Sequence, residues 1–264
     1  MCRHLAYLGP PATLRSVFID PPHGLRTQAW APRRQRYGTV NADGFGVGWY
    51  APEDPVPARY RHAGPIWGDE SFADVARVTS ASAMLGAVRS ATPGTDQGTA
   101  AIAPFAAGRW LFSHNGIVAG WPGSVAGLLA TLPAEVLLGL EARVDSALLW
   151  ALVRHRLGGG ARPDEAAAGA IAALDAVGVT GRFNFLLTDG QVIVATAAGD
   201  TLWYRRALGG GAAVVVASEP GDDQPGWTEV PDGRVVTATP QQVSVTELTV
   251  LARPGTEDGR IAIR

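Results

Sequence analysis

Cys2 is the only cysteine in a chain of 264 residues, and it directly follows the initiator methionine. A methionine ahead of a small side chain is normally trimmed, which here would leave the thiol on a residue with a free α-amine. In model peptides an α-amine titrates near 7.7–8.0 and a thiol near 8.5, so the amine can act as base to its own side chain. A nucleophile that carries its own base is one established route to covalent catalysis. Position alone leaves a plainer reading open, a small hydrophobe without a chemical role.

Attack on an amide would also need donors for the tetrahedral oxyanion and groups that fix the substrate's charges. Phe112-Ser113-His114-Asn115-Gly116 ends an expected strand with an Asn-Gly pair. The Asn115 side-chain amide and the Gly116 N–H would make an oxyanion pair, each donor worth about 2.7–4 kcal/mol in comparable sites. Val88-Arg89-Ser90-Ala91-Thr92-Pro93-Gly94 ends another strand with an arginine suited to grip a carboxylate through its bidentate fork. Asp145 opens a helix and could receive an ammonium group. Taken singly, each has a structural explanation: a strand end in solvent, an ordinary turn, a helix N-cap.

The elements that must position these groups are mostly strands, with helices in the middle of the chain. His4–Leu8 reads as a short strand stopped by Gly9-Pro10-Pro11, and residues 18–42 read as a long loop. Gly44–Tyr50 is a strand with glycine at alternate positions, which lets another backbone or a ligand come close. It is no dinucleotide fingerprint, because Pro52 and Pro55 would break any following helix. Ser82–Val88 and Trp110–Ser113 are expected strands, and Asp145–Leu157 and Asp164–Val177 carry apolar residues at helical spacing. Arg182–Thr188, Gln191–Ala197, Thr201–Arg205 and Ala213–Ser218 follow as strands, with a hairpin turn at Asp189-Gly190. Two more strands are expected from Val235 onward, ahead of a polar tail. Strands, two helices, then strands again predict layered sheets with helices outside.

Composition narrows the class. Apolar residues make up 47% of the chain and charged residues 17%, with a net charge of −2. That excludes a basic field for nucleic acid and an acidic tail. A lone cysteine forms no internal disulfide and suits a reducing cytoplasm. Met1-Cys2-Arg3-His4 opens no signal peptide, and no apolar run has the length of a membrane span. The five histidines show no metal-ligand spacing. The expectation is a soluble cytoplasmic protein acting on a small molecule, without cofactor, metal, nucleic acid or membrane.

A cysteine after the initiator methionine, then Arg89-Ser90-Ala91-Thr92, His114-Asn115-Gly116 and a helix-opening Asp145 occur in this order in a known family. The chain thereby resembles the class II glutamine amidotransferases, N-terminal-nucleophile enzymes that cleave γ-glutamyl amides. Met1–Pro11, Gln28–Arg33, Asn41–Tyr50 and Gly108–Gly116 resemble a stand-alone γ-glutamyl hydrolase branch most closely. The likeness is dense over residues 1 to 125 and thinner beyond, where Val144-Asp145-Ser146 and Ala217-Ser218-Glu219-Pro220 still carry it. It implies an α+β fold, a four-layer αββα sandwich of two mainly antiparallel sheets, as one domain over 1–264 with its core at 2–250 and a tail at 251–264.

It also implies the roles. Cys2 is the nucleophile, its freed amine the base, and Asn115 with Gly116 the oxyanion hole. Arg89 holds the glutamyl α-carboxylate, Asp145 with the Gly116 region the α-ammonium, Thr92 lines the pocket, and His114 supports Asn115. Ser90 and Pro93 stand where the glutamine-using relatives carry Trp and His, which fits a larger leaving group. If that group bears a quaternary ammonium, aromatic faces would hold it, and Trp30, Trp67 and Trp121 lie in suitable loops. Two other readings stay open: a γ-glutamyl hydrolase or glutamine amidotransferase with another substrate, and a non-catalytic binder of γ-glutamyl metabolites.

Overall fold

The computed structural model describes residues 2–92, 94–207 and 211–248. Pro93, two of the three glycines at 209–211 and the expected tail at 251–264 lie outside the described residues.

Thirteen strands are described: β1 (Arg3–Thr13), β2 (Phe45–Trp49), β3 (Ala58–His62), β4 (Ser80–Val88), β5 (Phe105–Ala107), β6 (Trp110–Val118) and β7 (Gly181–Thr188). They continue as β8 (Ile193–Ala197), β9 (Trp203–Ala207), β10 (Ala213–Ala217), β11 (Thr228–Glu229), β12 (Arg234–Ala238) and β13 (Val243–Glu247). The helices are α1 (Leu14–Phe18), α2 (Leu25–Gln28), α3 (Glu70–Val78), α4 (Ala126–Leu129), α5 (Ala134–Leu138), α6 (Asp145–Gly158) and α7 (Pro163–Ala176). One sheet runs β11-β9-β10-β1-β4-β2-β3 and the other β13-β12-β8-β7-β6-β5. Every pairing in both is antiparallel.

The layering follows from the period-two alternation of the strands. Ala6, Leu8, Leu85, Leu111, Leu186, Val214 and Val236 meet between the sheets. The opposite face of the first sheet packs Leu5, Val47 and Met84 against Phe18, Leu25 and Phe72 of the short helices. The opposite face of the second packs Phe112, Phe185 and Val194 against α6 and α7. Helix α6 buries residues all round, because it lies between the sheet and α7. The result is the αββα sandwich.

Several local expectations change. Strand β1 runs on through Gly9, Pro10 and Pro11 rather than stopping there. Its register against β4 breaks between Leu8 and Ala12, so the prolines occupy positions where no ladder donor is needed. The expected loop over 18–42 contains α2. Strand β6 does not end at Asn115-Gly116 but carries them through to Val118. Asp189-Gly190 does turn a hairpin, with Gly190 at φ +87°, although the last pair is Thr188 with Ile193 and the loop is wider. The glycines of β2 are required by close approach: a Cβ at Gly46 would run into the Ala103 carbonyl, and one at Gly48 into Leu111.

Candidate active site

Even-numbered residues at the start of β1 face the second sheet, and odd-numbered residues of β6 face the first. Cys2 and Asn115 therefore meet across the sandwich at the end where the apolar filling gives way to polar side chains. The backbone nitrogen of Cys2, which becomes the α-amine once Met1 is removed, donates to Asn115 Oδ1 at 3.3 Å. A backbone N–H can only donate, which sets the orientation of the Asn115 amide. Its Nδ2 is left buried without a hydrogen-bond partner among the described residues. An orphaned buried donor costs about 1–3 kcal/mol, so its retention beside the thiol points to use. Gly116 is needed as glycine, because a Cβ there would collide with the Arg182 carbonyl oxygen.

Strand β4 brings Arg89 to the same end, since Arg3 pairs with Val88. Its guanidinium donates to the Asp96 carbonyl at 2.7 Å and to Thr95 Oγ1 and the Asp43 carbonyl, each at 3.4 Å. Among the described residues no carboxylate pairs with it, although it is only 8% exposed. Thr92 lies in the loop that wraps this guanidinium, and its carbonyl accepts from the Thr95 hydroxyl at 2.6 Å. Asp145 is also 8% exposed. It is the first residue of α6 rather than its N-cap, which is Val144. Its Oδ2 accepts from the Val118 N–H at 3.1 Å and its Oδ1 from the Ser146 N–H at 2.7 Å. No cationic side chain pairs with it among the described residues. A cavity of ≈ 20 Å³ is lined by Cys2, Arg89, Ile102, His114 and Ser146 among others. Among the described residues a buried cation and a buried anion thus lack ionic partners, Arg89 in the lining of the Cys2 cavity and Asp145 next to Ser146 of that lining, the complement of an amino acid's own two charges.

His114 holds the frame. Its Nε2 donates to the Arg182 carbonyl at 2.9 Å, which leaves Nδ1 to accept from the Ser146 hydroxyl at 3.0 Å. Both nitrogens are engaged, so the ring ties β6 to β7 and to the start of α6 instead of serving as a base. His4 lies across the gap, Nδ1 at 3.1 Å from Ser113 Oγ. Burial holds His114 below the usual imidazole value, with Asp145 opposing. Burial, then Arg3 and His114, hold His4 well below it. The unfolded chain, with imidazoles near 6.5, therefore takes up more protons than the folded one as the pH drops. Stability from both rings is complete above about pH 6.5 and is lost progressively below it. Denaturation should show lower stability at pH 5.5 than at pH 7.5, and His4→Gln should shrink the difference.

The three tryptophans do not assemble into one aromatic cage. Trp30 and Trp67 meet edge to face with centroids 5.5 Å apart. Trp121 instead packs against the core cluster on the helical side of the second sheet. Sequence reasoning assigned no role to Ser146, Asp200 or Arg182: the first turn of α6 brings Ser146 to His114, the pairing of β6 with β7 brings in Arg182, and the connection after β8 brings Asp200 to it. Among the described residues no group of His, Cys, Asp or Glu is arranged to hold a metal ion.

The family model described as glutamine amidotransferases class-II matches residues 23–208. A gamma-glutamyl-hercynylcysteine sulfoxide hydrolase from Mycobacterium tuberculosis is 41% identical over 249 residues, covering 94% of this chain and 97% of the relative. One from Mycolicibacterium smegmatis is 42% identical over 248 residues, covering 94% and 100%. The solved structure of a glutamine aminotransferase class-II domain protein from Silicibacter pomeroyi superposes with a TM-score of 0.68 at 25% identity, covering 94% of this chain and 99% of that one.

Proposed function

The chain belongs to the class-II glutamine amidotransferase family, and from that premise we propose that it hydrolyses the γ-glutamyl amide of γ-glutamyl-hercynylcysteine S-oxide. The products are glutamate and hercynylcysteine sulfoxide. The observation that carries this reading is a pair of buried opposite charges without ionic partners among the described residues: Arg89, which lines the cavity with Cys2, and Asp145, the chain neighbour of Ser146 in the same lining. The named relatives, matched over nearly their whole length, supply the leaving group.

After loss of Met1 the α-amine takes the thiol proton, and the Cys2 thiolate attacks the γ-carbonyl carbon. Asn115 Nδ2 and the Gly116 N–H hold the oxyanion as the tetrahedral intermediate forms. The C–N bond breaks, the protonated α-amine delivers its proton to the leaving nitrogen, and a thioester remains. Water, deprotonated by the same amine, cleaves the thioester and frees glutamate. Arg89 grips the glutamyl α-carboxylate, Asp145 the α-ammonium, and the Thr92 loop forms the rim. His114 acts through the strand that carries Asn115. The Trp30–Trp67 pair is assigned to the quaternary ammonium of the leaving group. A cysteine nucleophile that must stay reduced suits a reducing compartment such as the cytoplasm. None of the described helices is long and apolar enough to cross a membrane.

The test compares kcat/KM for γ-glutamyl-hercynylcysteine S-oxide and for glutamine on protein shown by mass to lack Met1. The sulfoxide substrate should be favoured by about 100-fold or more, from contacts that ammonia as leaving group cannot make. Equal or better turnover of glutamine would refute the assignment.

A further inference from the structure

The inward face of β7 carries a residue that the catalytic scheme does not use. Register pairs Asn115 with Asn184 and Ile117 with Arg182, so Arg182 is the diagonal neighbour of Asn115 on the face that meets the first sheet. Such neighbours stand about 7–8 Å apart, within reach of a long side chain. Its backbone is closer to the chemistry still, since its carbonyl oxygen accepts from His114 and abuts Gly116.

The guanidinium is short of anions. Its Nε lies 3.4 Å from Asp200 Oδ2, and the same carboxylate faces Arg3 Nη2 at 3.6 Å. Glu219, buried near Arg3, accepts from the backbone N–H groups of Arg33 at 2.9 Å and Arg34 at 2.7 Å. Neither terminal nitrogen of Arg182 donates a hydrogen bond among the described residues. The guanidinium carbon sits 4.1 Å from the centroid of Tyr37, which is 52% exposed, while the arginine side chain is 20% exposed. One face is thus stacked and the donor edge is free, the arrangement in which a guanidinium takes a carboxylate in its own plane.

We propose that Arg182, oriented by Tyr37, recognises the α-carboxylate of the departing amine, so that the enzyme selects γ-glutamyl derivatives of α-amino acids over glutamine and simple γ-glutamyl amides. This rests on the reading of Cys2 as a γ-glutamyl hydrolase nucleophile. In such a substrate the carboxyl carbon is two bonds from the scissile nitrogen, so its receptor must lie next to the oxyanion donors. Arg89 and Arg182 then bracket Cys2, one for each carboxylate of the substrate.

The experiment measures kcat/KM for γ-glutamyl-S-methylcysteine S-oxide and for its α-carboxamide, which differ only in that charge. Wild type should favour the carboxylate by about 10- to 100-fold, the worth of one charge-assisted hydrogen-bonded pair. Arg182→Gln should bring the ratio close to one, chiefly through KM of the carboxylate substrate, and Tyr37→Leu should lower it partway. A wild-type ratio near one, or a preference that Arg182→Gln retains, would overturn the proposal while leaving the hydrolase reading intact. Hydrolysis of neither compound would remove the γ-glutamyl reading itself and this inference with it. The wild-type ratio decides the matter even if a variant fails to fold.

Discussion

Cys2→Ala is expected to lower γ-glutamyl hydrolysis by about 10⁴-fold or more, because removing a nucleophile leaves only the contribution of binding and the oxyanion donors. The fold should persist, since the thiol is only partly buried and lies at the first position before β1. Intact mass supplies the companion measurement. Wild-type protein should lack Met1 and gain one adduct at Cys2 from an electrophilic glutamine analogue, and the variant should gain none. A protein that only binds γ-glutamyl compounds would keep its function in Cys2→Ala, so retained activity there would sink the catalytic reading. Retained Met1 in protein from its own host would sink the mechanism, because an acylated nitrogen cannot act as base.

Asn115→Ala should lower kcat by about 10²- to 10³-fold, the cost of one oxyanion donor in a water-poor site. Two jobs of this side chain can be separated. Oδ1 accepts from the Cys2 nitrogen, and Nδ2, buried without a partner among the described residues, is the donor proposed for the oxyanion. Asn115→Asp keeps an acceptor for the nitrogen but replaces the donor by an oxygen, so kcat should fall at least as far while labelling of Cys2 by the electrophilic analogue is lost less. Equal losses in labelling and turnover for both variants would mean that Asn115 only positions the amine. The two readouts differ because labelling depends on the thiolate, whereas turnover also needs the tetrahedral oxyanion held.

Much of the architecture was legible because it depends on local pattern. The helix over 145–158 and the strands over 181–188 and 213–217 follow from the spacing of apolar residues along the chain. The close approach at β2 was legible from its glycines, which only a crowded backbone requires. Local pattern misled where partners outweighed it. Asn-Gly is a turn pair by propensity, yet pairing with β7 carries it through the middle of a strand, and the Arg182 carbonyl makes the glycine obligatory. Likewise Pro10 and Pro11 lie within a strand because the adjoining ladder is interrupted there.

The sequence by itself supplied the proposed nucleophile and its proposed base, since both belong to one residue and their proximity is covalent. It also named Arg89, Asn115, Gly116 and Asp145, whose types suit the chemistry. Only the tertiary structure decided that Arg89 and Asp145 are buried without ionic partners among the described residues, that Asn115 offers there a donor without a partner, and that Trp121 stands apart from Trp30 and Trp67. It alone brought Arg182 to the mouth of the site. The reason is physical: whether a charge is paired, or a donor satisfied, depends on neighbours supplied by distant strands, and no spacing along one segment encodes them.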